Sequence, residues 1–243
     1  MPWNRFKSPR RMIFVNNDEN KNPRNCFYGD RSKKSFLRYT LTIRTQRIVN
    51  YLKKYIEENE IKGRIRILDI GCADGLMTED IFRNIPCEIV IGIEKNVSFH
   101  LESKRNILYL FGDGCFLPFQ SDQFNVIVIS AILKHIKNTN AFANELSRVL
   151  KMKGIVIITD PRPLFIRMGI IIGKFDKKWL FNIWSSRDYD NFFGCYGFKL
   201  IYFQNYMLPF QLGKRCEELL GSIPLKPFFL HQIGVLEKEK EFL

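Results

Sequence analysis

The sequence lacks an apolar run long enough to cross a membrane. A spanning helix needs roughly 20 consecutive apolar residues, whereas the best candidate, LFIRMGIIIG at residues 164–173, is about half that length and contains Arg167. The N-terminal residues MPWNRFKSPRRM are basic, but the apolar segment of a secretory signal does not follow them. We therefore expect a cytoplasmic protein.

Metal-binding and disulfide patterns are also lacking. The six cysteines form no C-x-x-C pair, and the three histidines supply no His-x-x-x-His partner. The sequence therefore indicates neither a zinc site nor a disulfide scaffold, and no bound metal is expected. We predict reduced thiols at all six positions, which are Cys26, Cys72, Cys87, Cys115, Cys195 and Cys216.

Positive charge is abundant but unevenly placed. Residues 1–66 contain 17 Lys/Arg and 6 Asp/Glu, whereas residues 67–243 contain 21 and 19. Residues 1–34 show little periodicity and are predicted to form an irregular basic arm. Three interpretations of the arm stay open: it binds nucleic-acid phosphates, it lies on an anionic membrane surface, or it is only a solvated segment.

The rest of the chain, residues 35–243, is predicted to form a single α/β domain. Helical spacing of apolar residues predicts an N-terminal helix over residues 35–63. Apolar runs rich in Val and Ile then alternate with helix-like segments, which indicates a doubly wound, mostly parallel seven-stranded sheet covered on both faces. The predicted strands are RIRILDI, EIVIGIE, NILYLFGD, FNVIVISA, GIVIITD, FKLIYF and FFLHQIGVLE.

A helix over LMTEDIFRNI is predicted after Gly75, and three further predicted helices complete the pattern. A short one follows Glu94 and extends to about Lys104, and a second, NAFANELSRVL, is expected to be capped by Asn140. The third starts with a capping box at Ser185 and Asp188 and contains four regularly spaced aromatic residues, which we expect in the core.

The ends of the first four predicted strands contain the residues suited to a ligand. Ligands of such sheets bind beyond the carboxyl ends of the strands, where the strand order reverses. Gly71 and Gly75 allow a tight turn and a close approach of the ligand to the backbone. Glu94 ends the next strand about 20 residues later, a spacing typical of an acid that binds ribose hydroxyls. A nucleoside cofactor is therefore predicted.

The loop sequence narrows the choice of cofactor. Its glycine spacing, G-C-A-D-G, matches neither the dinucleotide motif G-x-G-x-x-G nor a P-loop. Asp69 and Asp74 would repel a pyrophosphate, but they suit a cofactor that carries an ammonium group. An adenosyl amino acid fits better than a dinucleotide.

Five segments in order resemble the class I S-adenosylmethionine-dependent methyltransferases, and specifically the ubiquinone/menaquinone group that acts on small molecules. The resemblance covers about residues 65–161, and a later segment, FFGCYGFKLIYF, resembles the helix-to-strand step of the same fold. The five segments are LDIGCADG, GIEKN, GDGCFLPFQSDQFNVI, ILKHI and LSRVLKMKGIVIITDP.

The resemblance implies S-adenosyl-L-methionine as the cofactor and assigns its contacts. The first loop would meet the methionine portion, Glu94 the ribose with Lys95 beside it, and the loop after the third strand the adenine. Ser130 would face the transferred methyl group. The implied cofactor-binding residues are Asp69, Gly71, Cys72, Ala73, Gly75, Glu94, Lys95, Asp113, Gly114, Cys115 and Ser130.

The chain departs from the family pattern at three places. Ala73 replaces a common glycine, RVLKMKG replaces R-V-L-K-P-G-G, and LKH stands where L-E-H is frequent. His135 in the last segment is the candidate general base for a hydroxyl acceptor, or it only orders the backbone. The other two histidines, His100 and His231, are expected to be structural.

The acceptor is less well specified. Residues 161–184 are rich in large apolar side chains and are predicted to form a lid over the acceptor site. Such a segment suits a small or lipid-linked acceptor, methylated at oxygen or carbon, and a peripheral membrane contact. One alternative is an RNA methyltransferase that uses the basic arm, although the fourth strand ends in ISAIL and not in Asn/Asp-Pro-Pro-Tyr. The other is a methyltransferase-like protein that binds cofactor without turnover.

Overall fold

The computed structural model describes residues 35–61, 63, 65–97, 101–173, 184–207 and 229–240. The predicted basic arm, His100, and residues 174–183 of the predicted lid lie outside the described residues. The helices are α1 (Ser35–Glu58), α2 (Leu76–Asn84), α3 (Thr139–Val149), α4 (Pro163–Ile171) and α5 (Ser186–Gly194), with a one-turn 3₁₀ helix at Leu133–His135. The strands are β1 (Ile65–Ile70), β2 (Cys87–Glu94), β3 (Ile107–Phe111), β4 (Phe124–Ser130), β5 (Leu150–Pro161), β6 (Phe198–Tyr206) and β7 (His231–Lys238).

The strands form one seven-stranded sheet in the order β3-β2-β1-β4-β5-β7-β6. The first five strands are parallel, and β7 is antiparallel to both of its neighbours. The predicted doubly wound, mostly parallel sheet is confirmed. Strand order reverses at β1, because β2 and β3 lie on one side of it and β4 and β5 on the other.

Both faces of the sheet are covered, which explains the nearly continuous Val and Ile runs of the central strands. One face packs on α3 and α5 through residues such as Phe142 and Phe193. The other packs on α1 and α2 through residues such as Leu52 and Ile81. The carboxyl ends of β1 to β5 therefore meet at one edge between two buried cores.

Several element boundaries differ from the sequence predictions. The N-cap of α3 is Asn138, whose side chain accepts a hydrogen bond from the backbone N–H of Ala141, so the prediction of Asn140 was wrong. The described part of residues 95–104 is not helical. Lys104, where the predicted helix would end, pairs with Ile107 in an isolated antiparallel bridge. Helix α1 ends at Glu58, before the predicted limit.

Three other local predictions can be compared with the structure. Strand β5 begins at Leu150 and not after Gly154, because a register shift against β4 lets the strand include the residues between them. The capping box at the start of α5 is confirmed, since Ser185 and Asp188 bond reciprocally. Tyr189 and Phe193 of α5 are buried in the core, as expected.

None of the helices within the described ranges is long and apolar enough to span a membrane.

Candidate functional site

The loop between β1 and α2 is shaped by two glycines. Gly71 and Gly75 have φ values of +78° and +74°, a region that other residues rarely adopt. A Cβ at Gly71 would lie 2.5 Å from Cγ2 of Ile132, and one at Gly75 would lie 2.5 Å from the hydroxyl oxygen of Tyr109. Both positions therefore require glycine, and the loop makes its turn at the reversal point of the sheet.

Glu94 at the end of β2 is hydrogen bonded to this loop. Its Oε2 accepts from the backbone N–H of Ala73 at 2.9 Å, and its Oε1 accepts from that of Asn96 at 2.9 Å. These bonds fix the orientation of the carboxylate, and each oxygen retains a lone pair for a further donor. Ala73 itself has a left-handed φ of +51°, in agreement with the glycine that is common there in the family.

Asp69 is the most deeply buried of the predicted contact residues. Its Oδ2 accepts a hydrogen bond from the Thr78 hydroxyl at 2.6 Å, which joins β1 to α2. Burial raises the pKa of Asp69 to about 6, the Thr78 bond partly opposes this, and the charges of Glu94 and Asp74 add to the rise. The bond to Thr78 was not predicted, and the cofactor contact of Asp69 stays a prediction.

Asp113 follows β3 and forms an ion pair across the strand ends. Its Oδ2 lies 2.7 Å from Nζ of Lys95, and its Oδ1 accepts from the backbone N–H of Cys115 at 3.0 Å. Partial burial alone would raise the pKa of Asp113, but the bonds from Lys95 and Cys115 outweigh it and lower the pKa. Lys95 and Asp113, which were predicted separately, are thus in direct contact.

Cys72, Cys115 and Gly114 are the other predicted contact residues in the loops that follow β1 and β3. Burial, with the charges of Asp69 and Glu94 added, raises the pKa of the Cys72 thiol, and burial raises that of Cys115. Both thiols are therefore neutral at physiological pH, which does not favour thiol chemistry. Gly114 passes so close to Phe142 that a Cβ there would lie 2.7 Å from the ring.

Ser130 at the end of β4 accepts two hydrogen bonds. One comes from the Thr159 hydroxyl at 3.2 Å and the other from Nη1 of Arg44 at 3.3 Å. Arg44 belongs to α1, so this helix covers the end of β4. Arg44 was not among the predicted site residues, although it lies three residues after Leu41 and four before Ile48, on the apolar, sheet-facing side of α1.

His135 ends the 3₁₀ helix after β4, and its side chain is exposed. The general-base role assigned to it stays a prediction. The adjacent Lys134 donates to the carbonyl of Ala131 at 2.7 Å.

A second polar cluster, which the sequence analysis also missed, lies where β5 and β7 pair. The buried Asp160 accepts a hydrogen bond from the Tyr189 hydroxyl at 3.1 Å, and Gln232 donates to the same hydroxyl at 3.3 Å. His231 precedes Gln232 and is also buried. Within the described ranges, no group of three or more His, Cys, Asp or Glu side chains is arranged to hold a metal ion.

Known methyltransferases are similar to the part of the chain that contains this site. Residues 68–158 match the family described as a methyltransferase domain. A ubiquinone biosynthesis O-methyltransferase of Pelagibacter ubique is 32% identical over 147 residues, which are 52% of this chain and 60% of that protein. A demethylmenaquinone methyltransferase of Lactococcus lactis is 30% identical over 40% of this chain and 42% of its own length. The chain thus matches between about two fifths and three fifths of these relatives.

Solved structures share the fold at low sequence identity. An S-adenosylmethionine-dependent methyltransferase of Mesorhizobium loti aligns with a TM-score of 0.54 at 13% identity, over 72% of this chain and 91% of its own. The YcgJ protein of Bacillus subtilis aligns with a TM-score of 0.56 at 16% identity, over 79% and 98%. The [4+2]-cyclase SpnF aligns with a TM-score of 0.53 at 13% identity, over 79% and 80%. Since a cyclase also shares this fold, the fold alone does not specify the reaction.

The order of the strands, the glycine loop bonded to Glu94 and the family match over residues 68–158 all agree. Residues 68–158 are similar to the methyltransferase domain, and the described residues share the fold of a solved S-adenosylmethionine-dependent methyltransferase.

Proposed function

We propose that the protein is an S-adenosylmethionine-dependent methyltransferase that acts on a small or lipid-linked acceptor at oxygen or carbon. The observation that carries this proposal is the fixed carboxylate of Glu94 beside the glycine loop, inside the region that matches the methyltransferase family. The named relatives that act in quinone biosynthesis support a small-molecule acceptor.

The residues present fit the cofactor. Gly71 and Gly75 allow the positive-φ turn that brings the backbone of the loop to the carboxyl ends of the strands. We predict that Glu94, which is held by the backbone N–H of Ala73, accepts from a ribose diol. Asp113, two residues beyond the partner of Glu94 in β3, is the predicted acceptor for an adenine amino group. When bound, S-adenosylmethionine supplies an electrophilic methyl group on a sulfonium sulfur.

The contribution of the chain to methyl transfer is mainly orientation. Displacement at a sulfonium needs neither an oxyanion hole nor a metal, so alignment of the acceptor with the methyl group supplies most of the acceleration. Ser130 and Arg44 lie at the strand end nearest to the predicted methyl position and are held by the hydrogen bond between them. If the acceptor is a hydroxyl, His135 is the predicted base for its proton.

The predicted lid and the alternative functions rest on other observations. Helix α4 occupies the first part of the predicted lid and exposes Leu164, Met168 and Ile171, a surface that suits a lipid-linked acceptor and a peripheral membrane contact. The RNA alternative rests on the charge of residues 1–66, of which the first 34 lie outside the described residues.

Incubation with radiolabelled S-adenosylmethionine and a fractionated cell extract tests the proposal. Label in the lipid or small-molecule fraction is expected. Label in RNA alone would establish the alternative, and cofactor binding with no labelled product in any fraction would indicate a non-catalytic protein.

A further inference from the structure

The chain leaves β4 through a turn that is held in an unfavourable backbone conformation. Ala131, the residue after Ser130, has a left-handed φ of +58°. This conformation costs free energy for any residue that carries a Cβ, and it persists only where the surroundings hold it in place. Such residues are concentrated at functional sites, and Ala131 directly follows the residue that is predicted to face the transferred methyl group.

Two hydrogen bonds and one packing contact hold the turn. The backbone N–H of Ala131 donates to the carbonyl of Thr159 on β5 at 2.7 Å. The carbonyl of Ala131 accepts a charge-assisted hydrogen bond from Nζ of Lys134 at 2.7 Å. Ile132 packs so closely on the glycine loop that a Cβ at Gly71 would lie 2.5 Å from its Cγ2. The turn therefore joins the end of β4 to the loop that is predicted to meet the methionine portion of the cofactor.

The charge of Lys134 also acts on the end of β5. Burial raises the pKa of Asp160, and the positive charge of Lys134 is the largest of the effects that oppose this rise. Asp160 follows Thr159, which pairs with Ser130, so the ammonium group of Lys134 is attracted to the end of the strand beside β4. A single side chain thus interacts with the exits of both strands.

Lys134 stands where an acid is frequent in the methyltransferases that the chain resembles. An ionised carboxylate has no donor, so a glutamate at this position could not bond to the carbonyl of Ala131. The hydrogen bond therefore depends on the replacement of L-E-H by LKH, which gives this departure from the family pattern a structural consequence.

We propose that Lys134 is a positioning residue of the methyltransferase site. Its hydrogen bond to the Ala131 carbonyl fixes the turn after β4, and the turn places Ser130 and Ile132 against the methyl-bearing end of the cofactor. Lys134 acts through the turn and not through a contact of its own with the cofactor. This inference rests on the proposed function, because it adds a residue to the same cofactor site.

Calorimetric titration of S-adenosylhomocysteine tests the inference in three variants. Lys134→Met has a side chain of similar length without a donor, and it should bind the ligand about fivefold or more weakly, because a hydrogen bond from a charged group is lost. Lys134→Arg keeps a cationic donor and should bind within about threefold of wild type. Lys137→Met is the matched control, because Lys137 is exposed on the same connection, and its affinity should be unchanged.

Urea unfolding distinguishes positioning from a contribution to stability alone. A bond that only stabilises the fold would lower the unfolding midpoint of Lys134→Met and leave its affinity for S-adenosylhomocysteine unchanged. Positioning predicts weaker binding by protein that is fully folded at the titration temperature, with recovery in Lys134→Arg. Should Lys134→Met fail to fold, Lys134→Gln replaces it, because the amide side chain is shorter and uncharged and should also weaken the ligand.

Failure of the inference and failure of the proposed function give different results. Equal affinity of wild type and Lys134→Met would overturn the inference while the proposed function stands. A loss that Lys134→Arg does not restore, or that Lys137→Met shows equally, would also overturn it, because the donor would then not be the cause. No binding of S-adenosylhomocysteine to the wild type would overturn the proposed function, and the inference with it.

Discussion

The carboxylate of Glu94 lies 2.9 Å from the backbone nitrogen of Ala73, which joins the end of β2 to the middle of the glycine loop. The acid holds the loop, and we predict that its remaining lone pairs accept hydrogen bonds from the cofactor. We expect Glu94→Gln to weaken S-adenosylhomocysteine by about tenfold or more, because the neutral amide is a poorer acceptor for ribose hydroxyls. Isothermal titration calorimetry measures the change.

Glu88 provides the control for this substitution, because it is exposed at the opposite end of the same strand. Glu88→Gln should bind the ligand as wild type does. Equal affinities of the Glu94 and Glu88 variants would remove Glu94 from the cofactor site.

Substitutions in the ion pair between Lys95 and Asp113 compare the contributions of the two side chains to cofactor affinity. Lys95 is largely exposed, and exposed pairs contribute about 0–1 kcal/mol, so Lys95→Ala should change the affinity for S-adenosylhomocysteine by less than about fivefold. Asp113→Ala should cost more, about tenfold, because it removes the predicted acceptor for the adenine amino group. Titrations of both variants give the comparison, and a larger loss for the lysine variant would contradict this assignment.

Gly75 should not tolerate a side chain. Gly75→Ala places a Cβ against the Tyr109 hydroxyl at a left-handed φ, and the conformation alone costs about 1–2 kcal/mol. We expect a lower free energy of unfolding in urea by about 2 kcal/mol or more.

Gly194 at the end of α5 is the matched glycine, because a Cβ there meets no atom within 4 Å. Gly194→Ala should be neutral or stabilising by about 0.4–1 kcal/mol. A loss of stability as large as that of the Gly75 variant would show that the loop geometry is not the cause.

The pH dependence of stability should report on Asp160. Burial raises its pKa to about 6, while Lys134, the Tyr189 hydrogen bond and Arg44 lower it in part. A folded-state pKa above the unfolded value stabilises the fold at low pH, and this contribution is lost as the pH rises from about 4 through about 6. Asp160→Asn keeps an acceptor for Tyr189 and removes the titration.

The free energy of unfolding of Asp160→Asn, relative to wild type, should therefore increase between about pH 4.5 and pH 7.5, by an amount on the order of 1–3 kcal/mol. Urea unfolding at the two pH values measures it. Asp190→Asn, an exposed substitution on α5, controls for the loss of a carboxylate. A pH-independent difference for the Asp160 variant would contradict the raised pKa.

The elements that were predicted correctly from the sequence are those whose residue pattern lies within one short segment. Strands β1, β4 and β5 are buried on both faces, so their Val and Ile runs are unmistakable, and Glu94 could be placed because it ends such a run. The N-cap of α3 was misplaced by two residues because Asn138 and Asn140 are equally good caps, and only the bond to Ala141 distinguishes them.

The contact between Tyr206 and His231 was not predicted, because the two residues come from distant segments of the chain. Tyr206 and His231 meet only through the antiparallel pairing of β6 with β7, and β7 inserts between β5 and β6. No periodicity within one segment encodes such a register. His231 was interpreted as a structural residue, and in the structure it is buried against Tyr206.

A crystal structure of the protein with S-adenosylhomocysteine tests the central claim most directly. The account predicts the ligand at the carboxyl ends of β1, β2 and β3, with both ribose hydroxyls within hydrogen-bonding distance of Glu94 and the adenine beside Asp113. A ligand bound elsewhere, or a ribose turned away from Glu94 at saturating concentration, would contradict it.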